Sequence, residues 1–408
     1  MALVSAKIPN LIQGVSQQPD DLRLYSQCDS QINGYSSVVE GLKKRPPTDY
    51  VAKISSSTSF DNAYIHTINR DTTERYVVAI TTGALTVNSI DGTSKTITAP
   101  AGSSYLTSSS PRDDFEAISI ADYTFIVNKN TTVAKSSTTS ATRPFEALYS
   151  VKQGVASTEY TIVINGTTYS YTTSSTNASF QAEEIVDQLI TAIGSPSGFT
   201  ITDLGSTIYI SNASDFTITA HDGYGNQASD IIKGKTNKFS DLPGIAKDGM
   251  IIEIAGSPDN AFDNYWVKYD ADSSSDKGVW IETVKPGLKN SLDNSTMPHV
   301  LIRQADGNFR FTPCDGATYT LSGTDYTVPS WGSRLVGDED SNTDPSFVGN
   351  KLKDVFFHRN RLGFLAGENI IMSRSSEFFD FYSETVTQVL DTDPIDVGSV
   401  TSKVANLH

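Results

Sequence analysis

Chemistry in this chain would have to come from five histidines, two cysteines and a large stock of carboxylates. His66, His221, His299, His358 and His408 are scattered, so a metal site would need ligands from distant parts of the sequence. His66 and His358 lie in or beside strand-like segments and read as structural. Cys28 and Cys314 are far apart and lack CxxC spacing, which argues against a disulfide framework and against zinc. Asp270-Ala271-Asp272-Ser273-Ser274-Ser275-Asp276 has the alternating acids of a calcium loop. It lacks the glycine at the sixth position and the glutamate at the twelfth that such a loop needs, so it reads as a solvated hairpin tip. Asp338-Glu339-Asp340 with Asp344 reads as a charged surface loop. Two carboxylates can cleave a glycosidic bond, but among 47 acidic residues chance pairs are inevitable. The chain has no GxSxG elbow, HExxH, P-loop or dinucleotide fingerprint. No catalytic, cofactor-binding or metal-ligating residue is expected.

Recognition is the better-supported chemistry. Gly14-Val15-Ser16-Gln17-Gln18-Pro19 is followed by Glu40-Gly41-Leu42-Lys43-Lys44-Arg45-Pro46-Pro47. Pro19, Pro46 and Pro47 lack an amide donor and bias the preceding residue to extended backbone. Gln17, Gln18, Gln27, Gln31 and Asn33 carry amides that need partners. These features predict an extended arm draped over a neighbour. Gln17, Gln18, Pro19, Arg23, Lys43, Lys44 and Arg45 are its candidate interface residues. The basic triplet has two readings, a contact to an acidic partner or a solvated turn before the prolines. Arg359 and Arg361 flank Asn360 in a turn and are expected to pair with Asp354 or Glu368.

The elements around these residues are mostly strands. Arg75–Ile80, Ala84–Ile90 and Ala117–Asn128 alternate with turn signals such as Asp91-Gly92, and the rhythm returns at 354–357, 361–365 and 370–373. Asn165-Gly166 predicts a type I′ hairpin. Residues 180–193 carry one apolar stripe at helical spacing, with Ser179 as a cap and Gly194 as a stop. A second hairpin is expected to join 264–269 to 278–282. A net charge of −16 argues against a surface built to grip phosphates. The start lacks a signal-peptide core, and no stretch approaches the ~20 apolar residues of a membrane helix. The reading is a soluble protein made in the cytoplasm.

Several blocks carry a resemblance. Besides the two near the start, they are Tyr64–Asp71, Ala121–Asn128, Pro345–Gly349, Asp354–Leu365, Gly367–Ile371 and Asp393–Val397. Together they resemble the tail tubular protein B, or nozzle protein, family of short-tailed phages. The resemblance implies a virion tail location and a structural role as a homohexameric ring conduit for DNA ejection. It also implies a companion tail tubular protein A ring, docked tail fibres, and double-stranded DNA passing without specific binding. The alternative class is a carbohydrate-active or receptor-binding tail protein. The expected fold is mainly β: an antiparallel, propeller-like body, incomplete in this chain, with an inserted α+β domain. The expected division is an arm at 1–50, a β-rich platform at 51–150 and an inserted, fibre-docking α+β domain at 151–241. A hairpin-rich extension at 242–300 and a β-rich segment at 301–408, truncated at its end, complete it. On this reading the 408 residues are the N-terminal half of a larger protein.

Overall fold

The computed structural model describes residues 10–175, 177–256, 264–272 and 277–399. The strand start expected at 400–408, His408, and residues 273–276 of the calcium-like loop lie outside them. Residues 1–56 group as one compact unit and 57–408 as another.

The first unit is more folded than an extended arm. Gly34–Ser37 and Gly41–Lys44 pair as an antiparallel hairpin across Val38-Val39-Glu40. Gly41 sits at φ +78°, and a Cβ there would strike the Asn10 side chain, so glycine is required. Upstream, Ser16 N–H donates to Cys28 O and Cys28 N–H to Gly14 O, both at 2.9 Å. The amide-rich stretch thus satisfies part of its own backbone, which an extended strand cannot do. Residues 46–56, beginning at the two prolines, carry no regular structure.

The larger unit contains a stack of three sheets, antiparallel except where Ile97–Thr98 pairs in parallel with Phe309–Pro313. The first comprises Tyr64–Asn69, Arg75–Thr81, Ala84–Ser89 and Ser94–Lys95. The middle sheet runs in the order Ile97–Thr98, Phe309–Pro313, His299–Arg303, Tyr123–Asn128, Phe115–Ile120. The third comprises Asp354–His358, Arg361–Ala366, Asn369–Met372 and Ile395–Gly398. Period-two alternation splits the middle sheet between two cores. Ile126, Leu301, Phe309 and Phe311 pack toward Val78, Ile80 and Val87 of the first sheet. Phe125, Val127, Val300 and Ile302 pack with Trp331, Val355, Leu362, Phe364 and Phe381 on the third-sheet side. The early and late motif blocks therefore meet in one body, joined by the pairing of His299–Arg303 with Tyr123–Asn128.

Residues 145–283 build the second part of this unit around an eight-stranded broad sheet. Its order is Phe199–Asp203, Thr207–Asn212, Phe145–Val151, Ser229–Lys233, Lys235–Thr236, Ile251–Ile254, Tyr265–Ala271, Gly278–Thr283. A helix, Ala182–Ile193, and a small sheet of Glu159–Ile164, Thr167–Thr172 and Ile218–Asp222 cover one face of its first half. Leu148, Tyr209, Ile232, Ile252, Val267 and Tyr269 form a core on the other face. Asn165 and Gly166 both have positive φ, as a type I′ turn demands. Gly194, at φ +65°, ends the helix, its N–H donating to Ile190 O. The N-cap is Gln181, without a side-chain bond, and not Ser179. The broad sheet also crosses the expected boundary at 241, because its strands pair from 145 through to 283.

The fold is mainly β with antiparallel sheets. Among the described residues no helix is long and apolar enough to cross a membrane.

Candidate assembly interface

The structure separates the seven residues singled out in the first unit. Gln17, Gln18 and Pro19 are exposed. Arg23 is engaged locally, with Nη1 2.7 Å from Asp20 Oδ1 and Nη2 donating to Gln18 O at 3.1 Å. Lys43 pairs with Glu40. Arg45 donates Nε–H to Asn33 Oδ1 at 2.8 Å and Nη1–H to Pro46 O at 3.2 Å. Lys44 is exposed, with no ion-pair partner among the described residues. Lys43 and Lys44 are successive strand residues and point to opposite faces. The triplet is therefore not one basic patch, and two of its members already have partners. What this unit does expose is apolar: Tyr25, Ile32, Val38 and Val39 are each more than four-fifths accessible. Sequence reading missed them because each looks like an ordinary core candidate until the chain around it is seen to be thin.

The carboxylate loop leaves Glu339 and Asp340 exposed as expected, while Asp338 and Asp344 anchor it. Arg334 is fully buried and holds Asp344 Oδ1 at 2.6 Å. Asp344 also takes Lys135 at 2.7 Å and the Tyr382 hydroxyl at 3.1 Å. Asp338 is buried and accepts from the N–H groups of Asp340 and Ser341, both at 3.1 Å. Arg361 is also buried. It donates to the carbonyls of Ser373, Asp391 and Asp393, not to the carboxylates of Asp354 or Glu368, because its strand faces the returning 391–393 segment.

One pair has the residue types of a nucleophile and its base: His66 Nε2 lies 2.8 Å from Ser119 Oγ. Ser119 Oγ also meets Thr124 Oγ1 at 2.7 Å, and burial lowers the imidazole pKa. The pair joins Tyr64–Asn69 to Phe115–Ile120, and no carboxylate hydrogen bond orients the ring among the described residues. It reads as a bond between sheets. His299 is buried between Tyr105 and Phe311, with ring centroids 4.0 and 5.5 Å away. Desolvation pulls its pKa down to about 4. Burial raises the Cys314 thiol and keeps it unreactive. Among the described residues no cluster of His, Cys, Asp and Glu could hold a metal.

The larger exposed feature lies on the broad sheet. Its register places Lys233, Lys235, Glu253, Trp266 and Thr283 in one row, and Ile251, Lys268 and Ile281 in the next. This is the face that the helix and small sheet cover over the first strands, as Ala147↔Lys233 and Tyr149↔Ile231 show. Beyond Lys235 the cover stops. Val279 is 61% and Ile281 40% accessible, and a cavity of about 450 Å³ opens among Phe145, Lys233, Lys235, Ile251 and Trp266. A signal for this was present in the sequence. Trp266-Val267 and Val279-Trp280-Ile281 are apolar at successive positions, which a strand with one solvated face does not need.

This geometry describes a β body with partly uncovered sheet surfaces. The bacteriophage nozzle protein family model matches residues 1–408, including the middle region where the sequence blocks are sparse. Tail tubular protein gp12 of Escherichia phage T7 is 37% identical over 426 aligned residues, which take in 100% of this chain and 51% of that protein. The chain thus spans about half the length of the curated relative it matches. With a family match over its whole length and a relative of this identity, the chain belongs to the bacteriophage nozzle proteins, structural components of the virion tail.

Proposed function

We propose that this chain forms part of the wall of a ring-shaped tail nozzle through which the phage genome leaves the particle. The observation that carries the proposal is the match of the nozzle family over all 408 residues. Two features of the chain suit the role. A net charge of −16 opposes phosphate binding, so DNA would slide and not stick. Three face-to-face, mainly antiparallel sheets suit consecutive propeller blades, and this stack reads as the beginning of one. The ring is read as a homohexamer below a companion tail tubular protein A ring. The lobe on the broad sheet would carry outward contacts, fibres among them. The chain is read as non-enzymatic, with DNA its transient cargo.

The test is an image of the full-length protein assembled in tails. A closed six-fold ring with a lumen wide enough for a duplex is expected. A compact trimer without a lumen would overturn the conduit reading in favour of a receptor-binding or glycan-cleaving tail part.

A further inference from the structure

The broad sheet has two free edges of opposite chemistry. Its first strand, Phe199–Asp203, pairs only with Thr207–Asn212, and its last, Gly278–Thr283, pairs only with Tyr265–Ala271. Neither carries the proline or lysine that usually blunts an edge. On the last strand, Thr283 O accepts the Gly337 N–H from outside the sheet. Asp272 N–H donates to Lys277 O within the hairpin, and Tyr269 N–H donates to Met250 O away from it. Antiparallel alternation therefore turns the backbone groups of Trp280 and Glu282 outward and those of Val279 and Ile281 into the sheet. On the first strand, Leu204 N–H donates to Thr207 O within the hairpin. The same alternation leaves Ile201 and Asp203 facing outward. Each edge thus offers a short row of unpaired backbone donors and acceptors.

Charge distinguishes them. Beside the first edge stand Asp203 and the acidic first half of the helix, Glu183, Glu184 and Asp187. The Asp187 carboxyl has its pKa raised, by contact with Asp203 foremost and by the charges of Glu184 and Glu183. These acids repel one another, and Glu183 and Asp187 have no cationic partner among the described residues. Toward the last edge stand Lys268, one strand in, and Lys235, three strands in, both without ion-pair partners among the described residues; Lys285 lies with Nζ 6.0 Å from the Trp266 ring and 4.0 Å from Asp338 Oδ2.

We infer that a second copy of this chain adds its Phe199–Asp203 edge to the Gly278–Thr283 edge of the first, continuing the broad sheet from copy to copy. The inference rests on the ring reading above and names a contact within it. Register supplies the decisive argument. The partly uncovered row of Ile251, Lys268 and Ile281 lies on the same face as the helix layer. These two edge strands run in the same direction in the sheet, so continuing it with them paired in parallel keeps the faces aligned and brings the next copy's helix over the partly uncovered half of the first copy's sheet. Val279 and Ile281 become buried, and Glu183, Glu184 and Asp187 meet Lys268. The contact is head-to-tail, which is the type that closes into rings, and edge pairing is a common way for chains to dock.

A charge swap in the full-length protein tests this. Lys235→Glu with Lys268→Glu should weaken self-association about tenfold or more by sedimentation, as should Asp187→Lys with Asp203→Lys. All four changes in one chain should restore it to within about threefold. Wild-type rings that persist in all variants would overturn this contact and leave the ring reading standing. Restoration failing in a folded four-fold variant would likewise overturn the contact. A wild-type protein that never forms rings would overturn the ring reading, and this contact with it.

Discussion

The middle sheet and the broad sheet are made from similar strands, yet one is finished and the other is not. The middle sheet is covered on both faces, by the first and third sheets, and its strands read as nearly unbroken apolar runs. The broad sheet has the same two-sided apolar pattern at Trp266-Val267 and Val279-Trp280-Ile281, but its cover ends halfway. A two-sided pattern with one-sided cover identifies a surface completed by another molecule. Patterning alone reports how many faces a strand must bury. It does not say whose atoms bury them.

The sharpest way to break this contrast is to truncate one residue on each side of it. Phe364→Ala removes a ring that packs against Trp331, Phe347 and Phe381 at centroid distances of 5.4–6.2 Å. It should cost about 4 kcal/mol in urea unfolding. Ile281→Ala on the partly uncovered face should cost less than about 0.5 kcal/mol in the unassembled protein. Similar losses at both sites would mean that the broad sheet is already covered within its own chain.

Next in size is the buried Arg334–Asp344 contact that fixes the loop after the middle sheet. Arg334→Ala leaves Asp344 with Lys135 and Tyr382 only, so a loss of about 3 kcal/mol is expected. Thermal denaturation of the variant beside wild type would show it. A shift no larger than that of a surface lysine variant would mean that the ion cluster is optional.

His299 gives the finished region a pH signature. Its folded pKa of about 4 lies below the ordinary 6.5, so the unfolded chain takes up the proton first as pH falls. Its contribution is complete above pH ~6.5, declines as pH drops and is lost below pH ~4. Between pH 7 and 4.5 the wild type should lose about 2–3 kcal/mol that a His299→Phe variant, still stacked on Tyr105 and Phe311, does not lose. Parallel losses in both proteins would assign acid sensitivity to other groups.

Much of this architecture is legible in the sequence, and the failures have physical causes. Turn chemistry at Asn165-Gly166 and the apolar stripe from Ala182 to Ile193 locate a hairpin and a helix because local backbone preference decides both. The broad sheet is not legible as one object, because Phe145–Val151 pairs with strands some 60 and 80 residues further on, and no local signal encodes that pairing. Asp344 reads as a surface charge for the same reason: Lys135 and Tyr382, two of its partners, come from elsewhere in the chain. The basic triplet was visible as a cluster, but clustering in sequence becomes alternation on a strand.

That alternation governs the smallest expected effect. Replacing Lys43, Lys44 and Arg45 with serine removes one exposed ion pair to Glu40 and the Arg45 contacts to Asn33 and Pro46. Exposed pairs contribute little, so the unfolding midpoint of the larger unit should move by less than about 0.5 kcal/mol equivalent. Assembly should respond differently to the three positions. Lys44 alone has no partner among the described residues, so Lys44→Ser should account for most of any loss in tail incorporation if the triplet binds an acidic neighbour. The adjacent apolar tip supplies the control. Val38→Ser with Val39→Ser removes two side chains that are 84% and 92% accessible and touch little of their own unit. If the tip, and not the charge, is what a neighbour buries, this pair should reduce incorporation more than Lys44→Ser does. Equal incorporation of all these variants would return the first unit to a solvated appendage and leave the broad sheet as the surface that matters.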